Sequence, residues 1–129
     1  MDKKYTIRQV AGLTGLSASN IRYYEKEGLI ENIGRTPAGV RMFSQRDVEW
    51  IRFLARLKDM EMPVAMMKSY AVLRAQGNGT IRERIALLNA HKEHMGRKIE
   101  HIRDHIALLD EKIGFYQEME KKTNDKRTL

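Results

Sequence analysis

From Ile81 to Glu120 a single hydrophobic period runs unbroken: Ile81, Ile85, Leu88, Lys92, Met95, Ile99, Ile102, Ile106, Leu109, Ile113, Tyr116 and Glu120 follow one another at intervals of four and three. Nine of these residues are aliphatic or Met, one is aromatic and two are charged, which is a heptad seam along one long helix. Thr80 and Glu83 have capping-box spacing at its start. A helix over 80–120 is roughly 60 Å long at 1.5 Å per residue, too long for a domain of this size to cover, so it is expected to pair with a copy of itself. A parallel pair would face Lys92 with Lys92 and Glu120 with Glu120, two like-charge layers. An antiparallel register centred near Asp104 sets Lys92 opposite Tyr116 and Leu88 opposite Glu120, and keeps Ile99 on Leu109 and Ile102 on Ile106. The antiparallel pair is therefore expected, with Ile85, Leu88, Met95, Ile99, Ile102, Ile106, Leu109, Ile113 and Tyr116 as its dimerisation residues.

The residues before the seam leave room for one small domain, assigned to 1–76, ahead of the coiled coil at 80–120 and a flexible tail at 121–129. In "TIRQVAGLTGLS" Thr6 and Gln9 form a capping box, Ile7, Val10 and Ala11 share a face, and Gly15 ends the helix. Ser17 caps a second helix, Leu16 and Ile21 form a hydrophobic staple across its start, and Gly28 suits a left-handed stop. Two short helices joined by a tight glycine turn make a helix-turn-helix. Pro37-Ala38-Gly39 then turns a small hairpin with Arg35 and Arg41 near its base. Ser44 caps a third helix, Phe43 and Val48 staple it, and Val48, Ile51, Leu54, Ala55 and Lys58 mark one face. Pro63 reads as the first position of a fourth helix reaching Ala75, and "GNGT" as a plain loop. The fold class is mostly α: a winged helix-turn-helix followed by a long antiparallel coiled-coil helix.

Charge and side-chain chemistry narrow the function. Lys and Arg outnumber Asp and Glu by 24 to 17, a formal charge of +7, which suits a polyanionic partner. The excess is 11 to 7 over residues 1–60 and 13 to 10 over 61–129, so charge alone does not locate a binding face. The absence of Cys removes disulfides and thiolate metal sites. Neither a membrane-span-sized apolar run nor a signal-peptide core is seen, so a cytoplasmic protein without a membrane partner is expected. Paired carboxylates, a nucleophile-base pair and a phosphate loop are all lacking, which argues against an enzyme, and no cofactor is expected.

On the second helix, Ile21 and Tyr24 share the stapled side and Tyr24 is the core residue. Ser19, Asn20 and Tyr23 turn outward. Arg22 stands at the boundary, able to pair with a carboxylate or reach a phosphate. Ser and Asn near the helix start can reach base edges, and Tyr and Arg are phosphate donors. The DNA-facing set is Ser17, Ser19, Asn20, Arg22, Tyr23, Arg35 and Arg41. An adaptor that uses the same helix-turn-helix for a protein partner is the alternative in another class.

"YTIRQVAGLTGLSASNIRYYEKEGLI", "RTPAGVRMF", "SQRDVEWIRFLARLKDMEMPV" and "RERIALLNAHKEHM" together resemble the MerR family of bacterial transcriptional regulators over almost the whole chain. The run Arg22, Tyr23, Tyr24, Glu25 and the Arg35 to Arg41 wing are its most characteristic features. The resemblance implies that Ser19, Arg22, Tyr23, Arg35 and Arg41 touch DNA. It also implies a homodimer on a pseudo-palindromic promoter, acting by underwinding and kinking an over-long spacer so that RNA polymerase engages both elements. "RAQGNGTIRERIALLNAHKEHM" is similar to the short subgroup that responds to aldehydes and related electrophiles. Some of those members carry a Cys in the third helix, where "FLARLKDMEM" has none, so thiol-adduct sensing is excluded for this chain. The resemblance places contacts to an unidentified small-molecule effector near Gly77 to Gly79.

Two further patterns carry metal readings. His91, His94, Lys98, His101 and His105 form a stripe beside the seam that reads as pH- or metal-responsive, and His101 and His105 have the four-residue spacing of two imidazoles on one metal. No third ligand completes the set, and packing against a partner is the plainer reading. Met60, Met62, Met66 and Met67 offer thioethers to copper(I), but flexible Met at a helix junction explains them better. No metal site is assigned.

Overall fold

The computed structural model describes residues 3–128, with side chains described through residue 125. It divides into a first unit, Met1–Leu87, and a second, Leu88–Leu129.

In the first unit the local signals are realised as hydrogen bonds. Helix α1 (Ile7–Thr14) starts with the full capping box, Thr6 Oγ1 accepting from the Gln9 N–H at 3.2 Å and Gln9 Oε1 accepting from the Thr6 N–H at 2.9 Å. It ends where Gly15, at φ 82°, donates its N–H to the Ala11 carbonyl. Helix α2 (Ala18–Lys26) follows after Ser17, whose Oγ accepts from the Asn20 N–H at 3.1 Å. A Schellman turn closes it: the Leu29 N–H reaches the Tyr24 carbonyl and the Gly28 N–H the Glu25 carbonyl, with Gly28 at φ 83°. Helix α1 packs on α2 and on α3 (Gln45–Asp59). Ser44 and Asp47 form a capping box on α3, and the staple pair Phe43 and Val48 is buried.

Strands β1 (Gly34–Arg35) and β2 (Arg41–Met42) pair antiparallel with Arg35 opposite Arg41. This pair is the rung next to the loop, not at the hairpin base, because only two residues on each side enter the ladder. A bridge that the sequence did not suggest, Tyr5 to Phe43, exchanges two backbone hydrogen bonds of 2.8 Å. Tyr5 Oη also donates to Gln45 Oε1 at 2.8 Å. The chain start is thereby stitched to the wing and to the head of α3.

Val48, Ile51, Leu54 and Ala55 are buried as the α3 period requires, while Lys58 is exposed. Leu57 is buried as well, widening the apolar face beyond the four apolar residues of the five assigned. Helix α4 (Val64–Ala75) has Pro63 as its N-cap, one position earlier than expected, with extended ψ of 146°. Met62 and Met67 fill the core and Met66 packs against it, whereas Met60 is exposed. The methionines thus act mainly as junction filler.

Helix α3 also ends in a Schellman turn, but with Glu61 in the left-handed position at φ 59°. The Met62 N–H reaches the Leu57 carbonyl and the Glu61 N–H the Lys58 carbonyl. A side chain at that φ costs stability that glycine avoids. Glu61→Gly is therefore expected to raise stability by about 0.5–1 kcal/mol after glycine's own entropic cost. A urea melt with an unchanged slope and a higher midpoint would show it.

"GNGT" is not a plain loop: Asn78–Thr80 forms a 3-10 turn (η1). The Thr80 hydroxyl hydrogen bonds to the Leu73 and Gly77 carbonyls instead of forming the expected capping box with Glu83. Helix α5 (Ile81–Thr128) then runs for 48 residues, roughly 70 Å at 1.5 Å per residue. It continues past Glu120 through most of the segment assigned as a tail, and Leu129 lies outside the described residues. The seam residues from Ile81 to Tyr116 are exposed, the apolar ones by 37% to 63%. Among the described residues no helix is long and apolar enough to cross a membrane.

Candidate nucleic-acid interface

The opposite sides of α2 have separate roles. Ile21 is fully buried and Tyr24 is 4% exposed, while Tyr23 is 46% exposed. Burial pushes the Tyr24 phenol above the ordinary tyrosine value, and neighbouring Tyr23 adds to the rise. Ser19 and Arg22 are exposed and Asn20 is half-buried. The outward face thus offers a hydroxyl, an amide, a guanidinium and a phenol within one turn and a half. Ser17 differs from the rest: its oxygen is committed to the cap, though the hydroxyl hydrogen is still available to a ligand.

Arg22 could have paired with a carboxylate or reached a phosphate, and the carboxylate on its helix goes elsewhere. Glu25 Oε1 takes the Arg41 Nε at 2.6 Å, with side chains 22% and 30% exposed. This partly buried pair is worth about 1 kcal/mol at most. Its larger consequence is geometric, because it ties the return strand of the wing to α2 and leaves Arg41's terminal nitrogens as donors. Arg35 Nη1 donates to the Gly39 carbonyl at 2.9 Å, bracing the loop where Gly39 adopts φ 86°. Sequence reasoning assigns Glu25 no partner. Its signal was the carboxylate in the Arg22 to Glu25 run, but the partner lies 16 residues away.

Behind the outward face, two contacts hold the C-terminal turn of α2 on its supports. Trp50 Nε1 donates to the Leu29 carbonyl at 2.7 Å. Lys68 Nζ on α4 meets Glu27 Oε2 at 2.6 Å. The hydrogen bond from Lys68, and then its charge, hold the Glu27 carboxyl below the usual range, and the same bond raises Lys68. Glu27's contribution is present above the ordinary carboxylate range and lost as pH falls through its lowered folded value. That of Lys68 is complete below the ordinary lysine value and lost as pH rises through its raised one. Lys68→Met is thus expected to flatten the acid limb of the stability curve, checked by thermal melts between about pH 3 and pH 6. An acid limb identical to that of the parent would show the pair to be silent, as many exposed pairs are.

The histidine stripe is not uniform. His91 is buried, whereas His94, His101 and His105 are exposed. Among the described residues no three His, Cys, Asp or Glu side chains are placed to hold a metal ion.

A capped helix-turn-helix with a polar outward face on its second helix, followed by a two-stranded wing, defines a winged helix-turn-helix DNA-binding module. The family model for the MerR HTH family regulatory protein matches residues 5–71. An uncharacterized HTH-type transcriptional regulator of Haemophilus influenzae is 34% identical over 113 residues, 88% of this chain and 84% of that one. Among solved structures, HiNmlR, described as a MerR family regulator lacking the sensor domain, bound to promoter DNA, is 34% identical with a TM-score of 0.72. The match covers 89% of this chain and 87% of that one. A MerR family regulator from Listeria monocytogenes is 31% identical with a TM-score of 0.75, over 95% of this chain and 98% of that one. The chain belongs to the MerR family of DNA-binding transcriptional regulators.

Proposed function

We propose that this regulator binds a pseudo-palindromic promoter as a homodimer and activates transcription by underwinding and kinking an over-long spacer, so that RNA polymerase engages both promoter elements. The observation that carries the DNA reading is the Glu25–Arg41 pair, which couples the wing to the recognition helix. Ser19, Asn20 and Ser17 at the start of α2 supply base-edge and backbone contacts. Arg22, Tyr23, Arg35 and Arg41 supply phosphate contacts on either side. Supporting the dimer, the α5 seam exposes Ile99, Ile102, Ile106 and Leu109 to water, a continuous apolar stripe that an antiparallel copy would cover. The two copies give two half-sites, as a palindrome requires.

The test is a footprint of the protein on the promoter region beside its own gene, with the spacing between promoter elements read from the same fragment. Protection centred on an over-long spacer, with enhanced cleavage at its middle, is the expected result. Protection outside any promoter spacer would overturn the distortion mechanism. No salt-dependent binding to any duplex would overturn the DNA reading and favour a protein partner. Arg41→Ala is expected to weaken operator binding about tenfold and to lower the salt slope by about one, the loss of one phosphate contact. Mobility shifts at several salt concentrations measure both.

A further inference from the structure

Away from the outward face of α2, three aromatic side chains gather in the first unit. Trp50 and Phe53 of α3 lie with ring centroids 6.0 Å apart, and Tyr70 of α4 stacks on Trp50 at 6.1 Å and 11°. Phe53 and Tyr70 approach to 5.3 Å. All three are half-buried and line a cavity of about 260 Å³. Arg46, Arg74 and Arg84 complete its wall against one carboxylate, Glu49. Arg74 lays its guanidinium 4.1 Å over the Trp50 ring.

The charge balance of this cavity is three cations to one anion before anything enters it. On the cavity wall, Arg84 Nη2 donates to the Gly77 carbonyl at 3.0 Å, while its Nε is buried with no hydrogen-bond partner among the described residues. A buried donor without a partner is costly, and a guanidinium's preferred partner is a carboxylate held by two parallel bonds. A larger groove of about 770 Å³ shares Arg46, Trp50 and Arg74. Its lining includes Glu27, Glu31 and Asp47 against Arg46, Lys68 and Arg74, so charge gives it no preference for an anion.

We propose that the cavity bounded by Trp50, Tyr70, Arg74 and Arg84 is a binding site for a small aromatic carboxylate. The ring enters beside the aromatic side chains and the carboxylate meets the Arg84 and Arg74 guanidinium groups. A volume near the lower end for ligand sites selects a single ring. Arg84 also holds the Gly77 carbonyl in the turn between α4 and α5, so occupancy reaches that turn. The three arginines come from α3, α4 and α5, not from α2 or the wing, so the site shares no residue with the proposed DNA face.

Trp50 is the single tryptophan, so its emission reports directly on the cavity. The experiment titrates the full chain with benzoate, phenylacetate and 1-naphthoate, with benzyl alcohol as the neutral counterpart of benzoate. Saturable change with benzoate or phenylacetate is expected, with benzyl alcohol at least about tenfold weaker. Arg84→Gln and Arg74→Gln are each expected to raise the Kd about tenfold, and melting curves confirm that both variants fold. The proposal is overturned by the absence of saturation with both benzoate and phenylacetate, by 1-naphthoate binding more tightly than either, by equal binding of benzyl alcohol, or by unchanged affinity in both folded variants. Competitive displacement of the acid by non-specific duplex DNA would also overturn it, marking the arginines as phosphate contacts.

Discussion

Ile102→Asp is expected to convert the protein to a monomer and abolish operator binding while leaving the first unit folded. In the proposed antiparallel register each Ile102 would face Ile106 of the second copy, so one substitution would bury two carboxylates in two apolar layers. Desolvating a charge without a partner costs several kcal/mol. On the order of 4 kcal/mol for the pair is already about a thousandfold in the dimer dissociation constant. Ile102 is 57% exposed in the single chain, so the substitution has nothing to disrupt within one subunit. Sedimentation equilibrium gives the assembly state and a mobility shift gives DNA binding. A stable dimer at micromolar concentration would show the seam to be misassigned, and a monomer with intact operator affinity would remove the need for two half-sites.

The second large effect separates two neighbouring residues of identical type. Tyr24→Ala removes a side chain that is 4% exposed and in the core with Ile21 and Leu29, and is expected to cost about 3 kcal/mol. For a domain of this size that lowers Tm by roughly 12–24 °C. Tyr23→Ala removes a ring that is 46% exposed and is expected to change stability by less than about 0.5 kcal/mol. Its loss is expected to appear instead as operator binding at least about tenfold weaker, from the missing phosphate contact proposed for it. Thermal melts and DNA titrations of both variants form one experiment. Equal melting temperatures would reverse the face assignment of α2, and unchanged affinity in Tyr23→Ala would remove Tyr23 from the interface.

Much of this architecture was legible because its causes are local. A capping box needs only two residues three apart, and both Thr6 with Gln9 and Ser44 with Asp47 form it. Gly15, Gly28 and Gly39 occupy the left-handed positions that their turns demand. Local rules failed where a competing partner was near. Thr80 has the spacing for a cap, but its hydroxyl is taken by the Leu73 and Gly77 carbonyls, which only the η1 turn brings within reach. Glu61 takes a glycine position because the packing of Leu57 and Met62 in the core sets where α3 must end.

The sequence by itself determined the helices, both ends of α1 and α2, the start of α3, the wing's turn and the division of α2 into a buried and an outward side. Each of these follows from backbone sterics and side-chain periods acting over a few residues. Only the tertiary structure decided which charges meet: Arg41 with Glu25, and Lys68 with Glu27. It alone placed Trp50, Tyr70, Arg74 and Arg84 around one cavity. Pairing between distant residues depends on how helices stack, and many stackings satisfy the same hydrophobic pattern.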